Sequence, residues 1–350
     1  MQHQSVILRP HSLINTRGKP HFGRFAQPVN DINVHNADYR TPMNKKASAL
    51  RKHFAYKRFQ YFGGISDELI FGCALADLRY LGVAFVYVYR LADGAMRTWQ
   101  IKTPLAMGLD LTNRPDNGVS VLERGKKRIR MAYTLNAAEE RRKQLEVDFG
   151  KDLTIQASMQ ENSHFESMAL CTPCSSNGWV YAQKTAALPV KGEVRCELGR
   201  FELDKINCYG HHDFSAGFMR RETFWNWACF SGQQGKQPPL GLNVSWGVNE
   251  TGYSENCFWV GEKLHLLPQV QFRFDRDDDH SHWRVSSENG QIDLAFTPRD
   301  LHRERLNAGI MASNFRQIFG TFKGHLISAE GKRYDIENQY GFVEDQYAKW

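Results

Sequence analysis

Residues Leu240–Val248 read LGLNVSWGV. Leu242, Val244, Trp246 and Val248 alternate with Asn243, Ser245 and Gly247. In an extended chain successive side chains point to opposite sides, so this period of two predicts a strand with one buried face and one facing water or a cavity. The pattern continues outward in both directions. Downstream, Val270, Phe272 and Phe274 alternate with Gln271 and Arg273, and Ile292, Leu294 and Phe296 share a face. Upstream, Ile129, Met131, Tyr133 and Leu135 do the same, as do Leu145, Val147 and Phe149, then Leu153, Ile155 and Ala157. Glu68–Leu75 and Leu81–Tyr89 are nearly continuous apolar runs, as in strands covered on both faces. Asp93-Gly94, Asn117-Gly118, Asn289-Gly290 and Glu330-Gly331 supply turn signals. Roughly eight such runs fall on each side of residue 205, which predicts an all-β chain of two barrel- or sandwich-like halves in tandem.

Outside these runs, residues 1–43 are rich in Pro, Asn and His without a sustained period, and read as an arm laid over the body or partly disordered. Asn44–Tyr56 is the best helix candidate, with Asn44 as cap and Ala47, Leu50 and Phe54 as a narrow apolar stripe. The expected division is therefore an arm and short helix over 1–57, a first β domain over 58–205 and a second over 206–350.

The 12% aromatic content favours strands, where flat rings fit a pleated surface. The net charge of +7 is scattered. Its densest run, RGKKRIR at 124–130, is followed by the mixed EERRK at 139–143, the pattern of a solvated basic hairpin, so no nucleic-acid partner is expected. Seven dispersed cysteines do not form a disulfide framework. MQHQSVILRPHSL lacks the apolar core of a signal peptide, and no apolar run is long enough to span a bilayer, so a cytoplasmic location is expected.

No G-x-S-x-G elbow, phosphate-binding G-x-x-x-x-G-K-[ST] loop, dinucleotide-binding G-x-G-x-x-G or H-E-x-x-H motif occurs, so neither a cofactor nor a metal is expected. Cys171-Thr-Pro-Cys174 is a lone C-x-x-C without a second pair at zinc spacing, and reads as a loop between strands. The run DRDDDHSH over 275–282 reads as a hairpin tip.

The chemistry-bearing residues concentrate in 210–260. GHHDFSAGFMRRETFWNWACFSG at 210–232 packs His211, His212, Asp213, Arg220, Arg221, Glu222, Trp225 and Trp227 into a short span. On a strand, His211 and Asp213 share a side, and so do Trp225 and Trp227. A carboxyl group beside apolar rings has a raised pKa and can donate a proton, while indole faces stabilise a developing cation. The competing reading is a packed pair of indoles with Arg220 or Arg221 neutralising Asp213. Asn243, Ser245, Glu255 and Asn256 line a cavity if their face is concave, and are a solvated face otherwise. Trp259, and Glu344 near the C-terminus, complete the set, Glu344 as a second carboxylate.

LRKHFAYKRFQYFGG at 50–64, ADLRYLG at 76–82, YAQK at 181–184, D-x-S-x-G at Asp213–Gly217, RET-x-WNWA at Arg221–Ala228, LGLN at 240–243, EN-x-x-W at Glu255–Trp259, QIFGTFKG at 317–324 and the closing GFVEDQYAKW occur in this order. In these pieces, covering nearly everything from about residue 18, the chain resembles a bacterial family catalogued as a domain of unknown function. More distantly it is similar to the tandem lipocalin-like group of carotenoid hydratases (hydroxyneurosporene synthase), tocopherol cyclases and attachment-operon proteins. That resemblance implies two lipocalin-like β domains with an apolar cavity, and, among the enzymes, protonation of an isoprenoid alkene. Three functional classes follow. The first binds a hydrophobic or amphipathic small molecule in a barrel cavity, with His211, Arg220, Trp225, Trp227, Asn243, Asn256, Trp259 and Glu344 as ligand-binding residues. The second is a cofactor-independent hydratase or cyclase with Asp213 as general acid and His212, Arg221 and Glu255 beside it. The third is a structural or partner-binding protein. An enzyme needs a buried carboxylate on a cavity, a carrier needs the cavity alone, and a structural protein needs neither.

Overall fold

The computed structural model describes residues 6–7, 10–248, 252–309 and 311–350. The described residues are all-β with one short α-helix. The described residues form a fifteen-stranded sheet and a nine-stranded sheet. Within the N-terminal MQHQSVILRPHSL, residues 1–5 and 8–9 lie outside the description.

The first sheet runs in the order Met96–Pro104, Leu81–Arg90, Leu69–Asp77, Lys57–Ile65, Tyr209–Gly217, Gly178–Cys196, Leu153–Glu161, Arg141–Asp148, Lys127–Leu135, Gly118–Arg124 and Leu109–Asp110. It curls into a nearly closed barrel. The long strand Gly178–Cys196 makes the corner. Its first part pairs with Tyr209–Gly217 and its last part with Leu153–Glu161, and a bulge between Thr185 and Leu188 turns it. Ala187 sits in that bulge with φ 65°. Phe62, Cys73, Met131, Tyr133, Tyr181 and Phe214 are among the side chains that fill the barrel interior.

The second sheet, a curled half-barrel, runs Lys263–Leu266, Cys257–Val260, Leu240–Trp246, Glu222–Gly232, Arg333–Lys349, Ala312–Ile327, Ile292–Asn307, Trp283–Ser287 and Val270–Arg273. Phe230, Leu242, Val244, Leu294, Phe296 and Val343 are in its own core. A third apolar cluster joins the two units. Tyr61, Ile70, Ala74, Tyr87 and Tyr89 from the first sheet meet Trp227, Cys229, Phe319 and Phe342 from the second. The outer face of the barrel is therefore the floor on which the second sheet sits. This explains why Leu69–Asp77 and Leu81–Arg90 read as apolar on both faces: one lines the barrel and the other the seam.

Several expectations change. The strand Tyr209–Gly217 belongs to the first sheet, so the chain passes between sheets over 218–221 and not at residue 205. The two halves are unequal in strand number. The helix spans Ala49–Ala55, and its cap is Ser48, whose hydroxyl accepts from the Arg51 N–H at 3.2 Å. Asn44 instead occupies a left-handed turn position with φ 58°. The helix buries none of its own residues, and Leu50 is exposed. The arm does lie over the body: Gly23–Phe25 pairs with Met168–Cys174, and Leu13, Ile14, Phe25, Val29 and Ile32 join the barrel core. Cys171-Thr-Pro-Cys174 lies in that same strand, not in a loop. Both thiols are buried and free. The basic run 124–130 is the turn between Gly118–Arg124 and Lys127–Leu135, and 275–282 connects Val270–Arg273 to Trp283–Ser287. No described helix is long and apolar enough to cross a membrane.

Inside the barrel, Lys143 and Glu161 form a fully buried ion pair, and Glu161 also accepts from Thr185 Oγ1 at 2.7 Å and Ser167 Oγ at 2.9 Å. Burial acts to raise the Glu161 carboxyl, but Lys143, Arg141 and the Thr185 hydrogen bond together outweigh it and hold the pKa below the ordinary 4.5. A depressed acid stabilises the fold above its unfolded pKa and loses that stabilisation as pH falls through the folded one. Glu161→Gln leaves Lys143 as an uncompensated buried cation, at an expected cost of about 3 kcal/mol. Urea unfolding at pH 7 and again below pH 4.5 checks this, with the difference between the proteins shrinking in acid.

Candidate functional site in the seam between the sheets

Strand alternation divides Tyr209–Gly217 between two environments. His212 and Phe214 turn into the barrel, against Tyr133 at ring distances of 5.1 and 6.2 Å. His211 and Asp213 turn outward into the seam. The same alternation on Gly178–Cys196 sends Tyr181 into the barrel and Lys184 outward, directly across from Asp213. Where the seam is not filled by rings it opens into a cavity of about 280 Å³. Its walls include Phe59, Phe85, Trp225, Trp227, Phe315 and Trp350. The cavity lies between the two sheets, not inside a barrel as the sequence suggested.

At its base is a buried charge cluster. The Lys184 ammonium donates to Asp213 Oδ2 at 2.6 Å, lies 3.4 Å from Glu255 Oε1, and sits 5.2 Å from the centre of the Trp227 ring. Ser215 Oγ donates to the other Asp213 oxygen at 2.9 Å. Burial works against the charged ammonium, yet Asp213 and Glu255 together hold the Lys184 pKa above its usual value. Burial is also the largest influence on Asp213. It raises the carboxyl pKa, aided by Glu255 and opposed by Lys184. A second layer braces this cluster: Trp227 Nε1 donates to Asn243 Oδ1 at 2.9 Å, and Asn243 Nδ2 donates to the Glu255 backbone carbonyl at 3.0 Å.

Glu344 forms a separate pole of the cavity. It accepts from Trp225 Nε1 at 3.2 Å and Gln317 Nε2 at 2.9 Å. Both donors are neutral, and burial pushes the carboxyl up to about 7. Behind it, the Tyr61 hydroxyl is 2.7 Å from that of Tyr87 and 3.1 Å from His211 Nε2. Gly63 and Gly72 leave the room this group occupies. A Cβ on Gly63 would lie 2.5 Å from His211 Nε2, and one on Gly72 would lie 2.5 Å from Tyr61 Oη. Burial, the only influence on His211, lowers its pKa to about 3, so the ring is neutral.

Of the residues singled out in the sequence, Asp213, Glu255, Arg220, Trp225, Trp227 and Glu344 line the cavity, with Ser245. His211 and Asn243 stand one layer behind. His212 cannot orient Asp213, because it is the next residue on the strand and faces the barrel. Arg221 is exposed and does not line the cavity. Asn256 ties down backbone, donating to Pro268 O at 3.2 Å and accepting from the Ser245 N–H at 2.7 Å. Trp259 is buried in the core with its Nε1 on the Glu166 carbonyl at 2.8 Å. The cation facing Asp213 is Lys184, not either arginine. The sequence held one signal for it: Lys184 is the lone charge in the otherwise uncharged GWVYAQKTAALPV at 178–190. Gln317, Tyr61 and Tyr87 carried none. Among the described residues no cluster of His, Cys, Asp and Glu could hold a metal ion.

Among solved structures the chain is similar to CghA in its complex with Sch210972, at 10% identity and a TM-score of 0.56 over 98% of this chain and 97% of that one. It is also similar to the protein assigned as AttH (NE1406) from Nitrosomonas europaea, at 13% identity and a TM-score of 0.49, covering 83% of this chain and 91% of that one. Kievitone hydratase from Nectria haematococca matches at 8% identity and a TM-score of 0.44, over 83% and 88% of the two chains. At such identities the likeness is one of fold. No curated protein matches the chain. The sequence matches the family described as Domain of unknown function (DUF2804) over residues 4–350, and the chain belongs to that family.

Proposed function

We propose that the seam cavity binds an amphipathic small molecule. The observation that carries this reading is a cavity of about 280 Å³ whose walls are mostly aromatic and aliphatic but which presents four carboxylates and several cations at separate points. Ligand sites combine an apolar lining with a few placed polar groups. A purely structural seam would be expected to close, since empty apolar space forfeits contact energy. CghA, which shares the fold, has been solved with Sch210972.

A second reading, acid catalysis on the bound molecule, rests on Glu344. A general acid must hold its proton near working pH. The ion pair of Asp213 with Lys184 is formed by the deprotonated carboxylate, which disfavours Asp213 as the donor. Glu344 has neutral hydrogen-bond partners and a pKa near 7. In this reading Glu344 donates the proton and Trp225 and Trp227 face the cation that forms.

Native mass spectrometry of gently purified protein, followed by organic extraction, tests the binding reading. A stoichiometric apolar or amphipathic molecule is expected; a protein that neither retains one nor takes one up from an amphiphile panel sinks it. For Glu344, infrared difference spectra are expected to show a protonated carboxyl band that titrates near pH 7 and is missing in Glu344→Gln. A raised acid stabilises the fold below its unfolded pKa and loses that as pH rises through the folded one, so the wild type is expected to lose stability from about pH 4.5 to 7 relative to Glu344→Gln. Asp213→Asn should behave differently. It weakens the partnering of a buried ammonium, and thermal or urea unfolding should show a loss of about 3 kcal/mol.

A further inference from the structure

The charges around the cavity are unevenly matched. At the base, the one ammonium of Lys184 faces two carboxylates, Asp213 and Glu255. At the end formed by the start of Lys57–Ile65 the balance is reversed. The Lys57 side chain lines the cavity and is 5% exposed. Its ammonium donates to the carbonyls of Phe54 and Leu78, both at 2.8 Å, and sits 4.3 Å from the centre of the Tyr80 ring. Among the described residues no carboxylate is ion-paired with it. Asp77 is the nearby acid, and it is already engaged by Arg58 Nη2 at 2.6 Å and Arg79 Nη1 at 3.4 Å. Arg58 also lines the cavity, and its buried Nε–H has no acceptor. Three cations thus gather around one buried carboxylate, with Asp110 acting on Arg79 alone, and two of them border the cavity. A buried cation without a counter-ion is costly, and a guanidinium N–H without an acceptor adds to the cost. An anion arriving at this end relieves both, whereas at the Lys184 end it meets the two carboxylates Asp213 and Glu255, with Lys184 already engaged by both and Arg24 interacting with Glu255.

We infer that the ligand of this cavity is an anionic amphiphile, its carboxylate or phosphate held at the Lys57–Arg58 end and its apolar body laid along Phe59, Phe85, Trp225 and Phe315. This rests on the reading of the seam as a small-molecule site and adds the polarity and orientation of the molecule. Burial lowers the Lys57 pKa to about 8, with Arg79 and Arg221 acting in the same direction and Asp77 against it. Tyr80, which packs on Lys57, is pushed up to about 12 by burial and keeps its proton through this range. Lys57 therefore loses its charge just above neutral pH, and anion affinity should fall with it.

Equilibrium titrations followed by tryptophan fluorescence test the inference, since Trp225, Trp227 and Trp350 line the cavity. The probes are dodecanoate, dodecyl phosphate, dodecanol and dodecyltrimethylammonium, each below its micelle concentration. At least one anion is expected to bind about tenfold or more tighter than dodecanol, the scale of a charge-assisted hydrogen bond. The tighter anion identifies the headgroup as carboxylate or phosphate. The ratio of anion to alcohol affinity should fall towards one in Lys57→Met and survive in Lys57→Arg. In the unaltered protein it should decline between pH 7 and 9, which keeps the test valid if a variant fails to fold. Dodecanol or the ammonium probe binding as tightly as both anions at pH 7 overturns the anionic assignment and leaves the cavity reading standing. Failure of all four probes to bind overturns the cavity reading as well.

Discussion

A lysine ammonium held between two sheets organises this molecule. Lys184 and Asp213 project from neighbouring strands of the barrel, while Glu255 and Trp227 come from the part of the chain that builds the second sheet. An ion inside a protein is tolerated only when its charge and donors are met. The second unit therefore has to dock where Glu255 and the Trp227 ring reach Lys184. The corner in the strand Gly178–Cys196 lies next to this point: the Ala187 N–H in its bulge donates to Ser231 Oγ, and Ser231 Oγ donates to the Gly210 carbonyl. Bulge, ion cluster and docking are one local arrangement.

The seam alternates between closure and opening. Where Tyr61, Tyr87 and Tyr89 meet Trp227, Phe319 and Phe342, the sheets are packed ring against ring. Where Lys57, Lys184 and Glu344 come forward, the sheets part and leave the cavity. Charged side chains need partners or solvent, so they cannot be pressed into the ring cluster, and the gap follows from their presence. The carboxylates differ in their surroundings. Burial raises both, but it is opposed at Asp213 by an ammonium and at Glu344 by hydrogen bonds from an indole and an amide. Two acids of similar intrinsic strength are thereby placed in different electrostatic positions within one cavity.

The alternation in Ile292–Phe296 was readable because a half-buried strand records its two faces in its residues, whereas Leu240–Val244 is buried on both faces and Trp246, expected on the buried one, is exposed. The pairing of His211 with Asp213, and of Trp225 with Trp227, followed from the same period. The helix was legible but its start was not, since Asn44 and Ser48 are both good caps and only the path of the arm decides between them. The boundary at residue 205 was misplaced for a comparable reason. Tyr209–Gly217 is a strand by its own pattern, but its pairing with Lys57–Ile65 is a contact between distant parts of the chain, and period alone does not record it.

The sequence by itself determined that this chain is all-β, that its strands have two distinct faces, and that four of its eight tryptophans fall in 210–260 beside His211, His212, Asp213 and Glu255. These are local properties, written in spacing and residue type. Only the tertiary structure decided which of those residues meet. It put His212 in the barrel and Asp213 in the seam, took Trp259 and Asn256 out of the site, and brought in Lys184, Gln317 and Lys57. It also moved the cavity from the inside of a barrel to the junction of two sheets. Partnership between side chains depends on how one sheet is laid on another, and that is set by curvature, bulges and buried charge across the whole molecule.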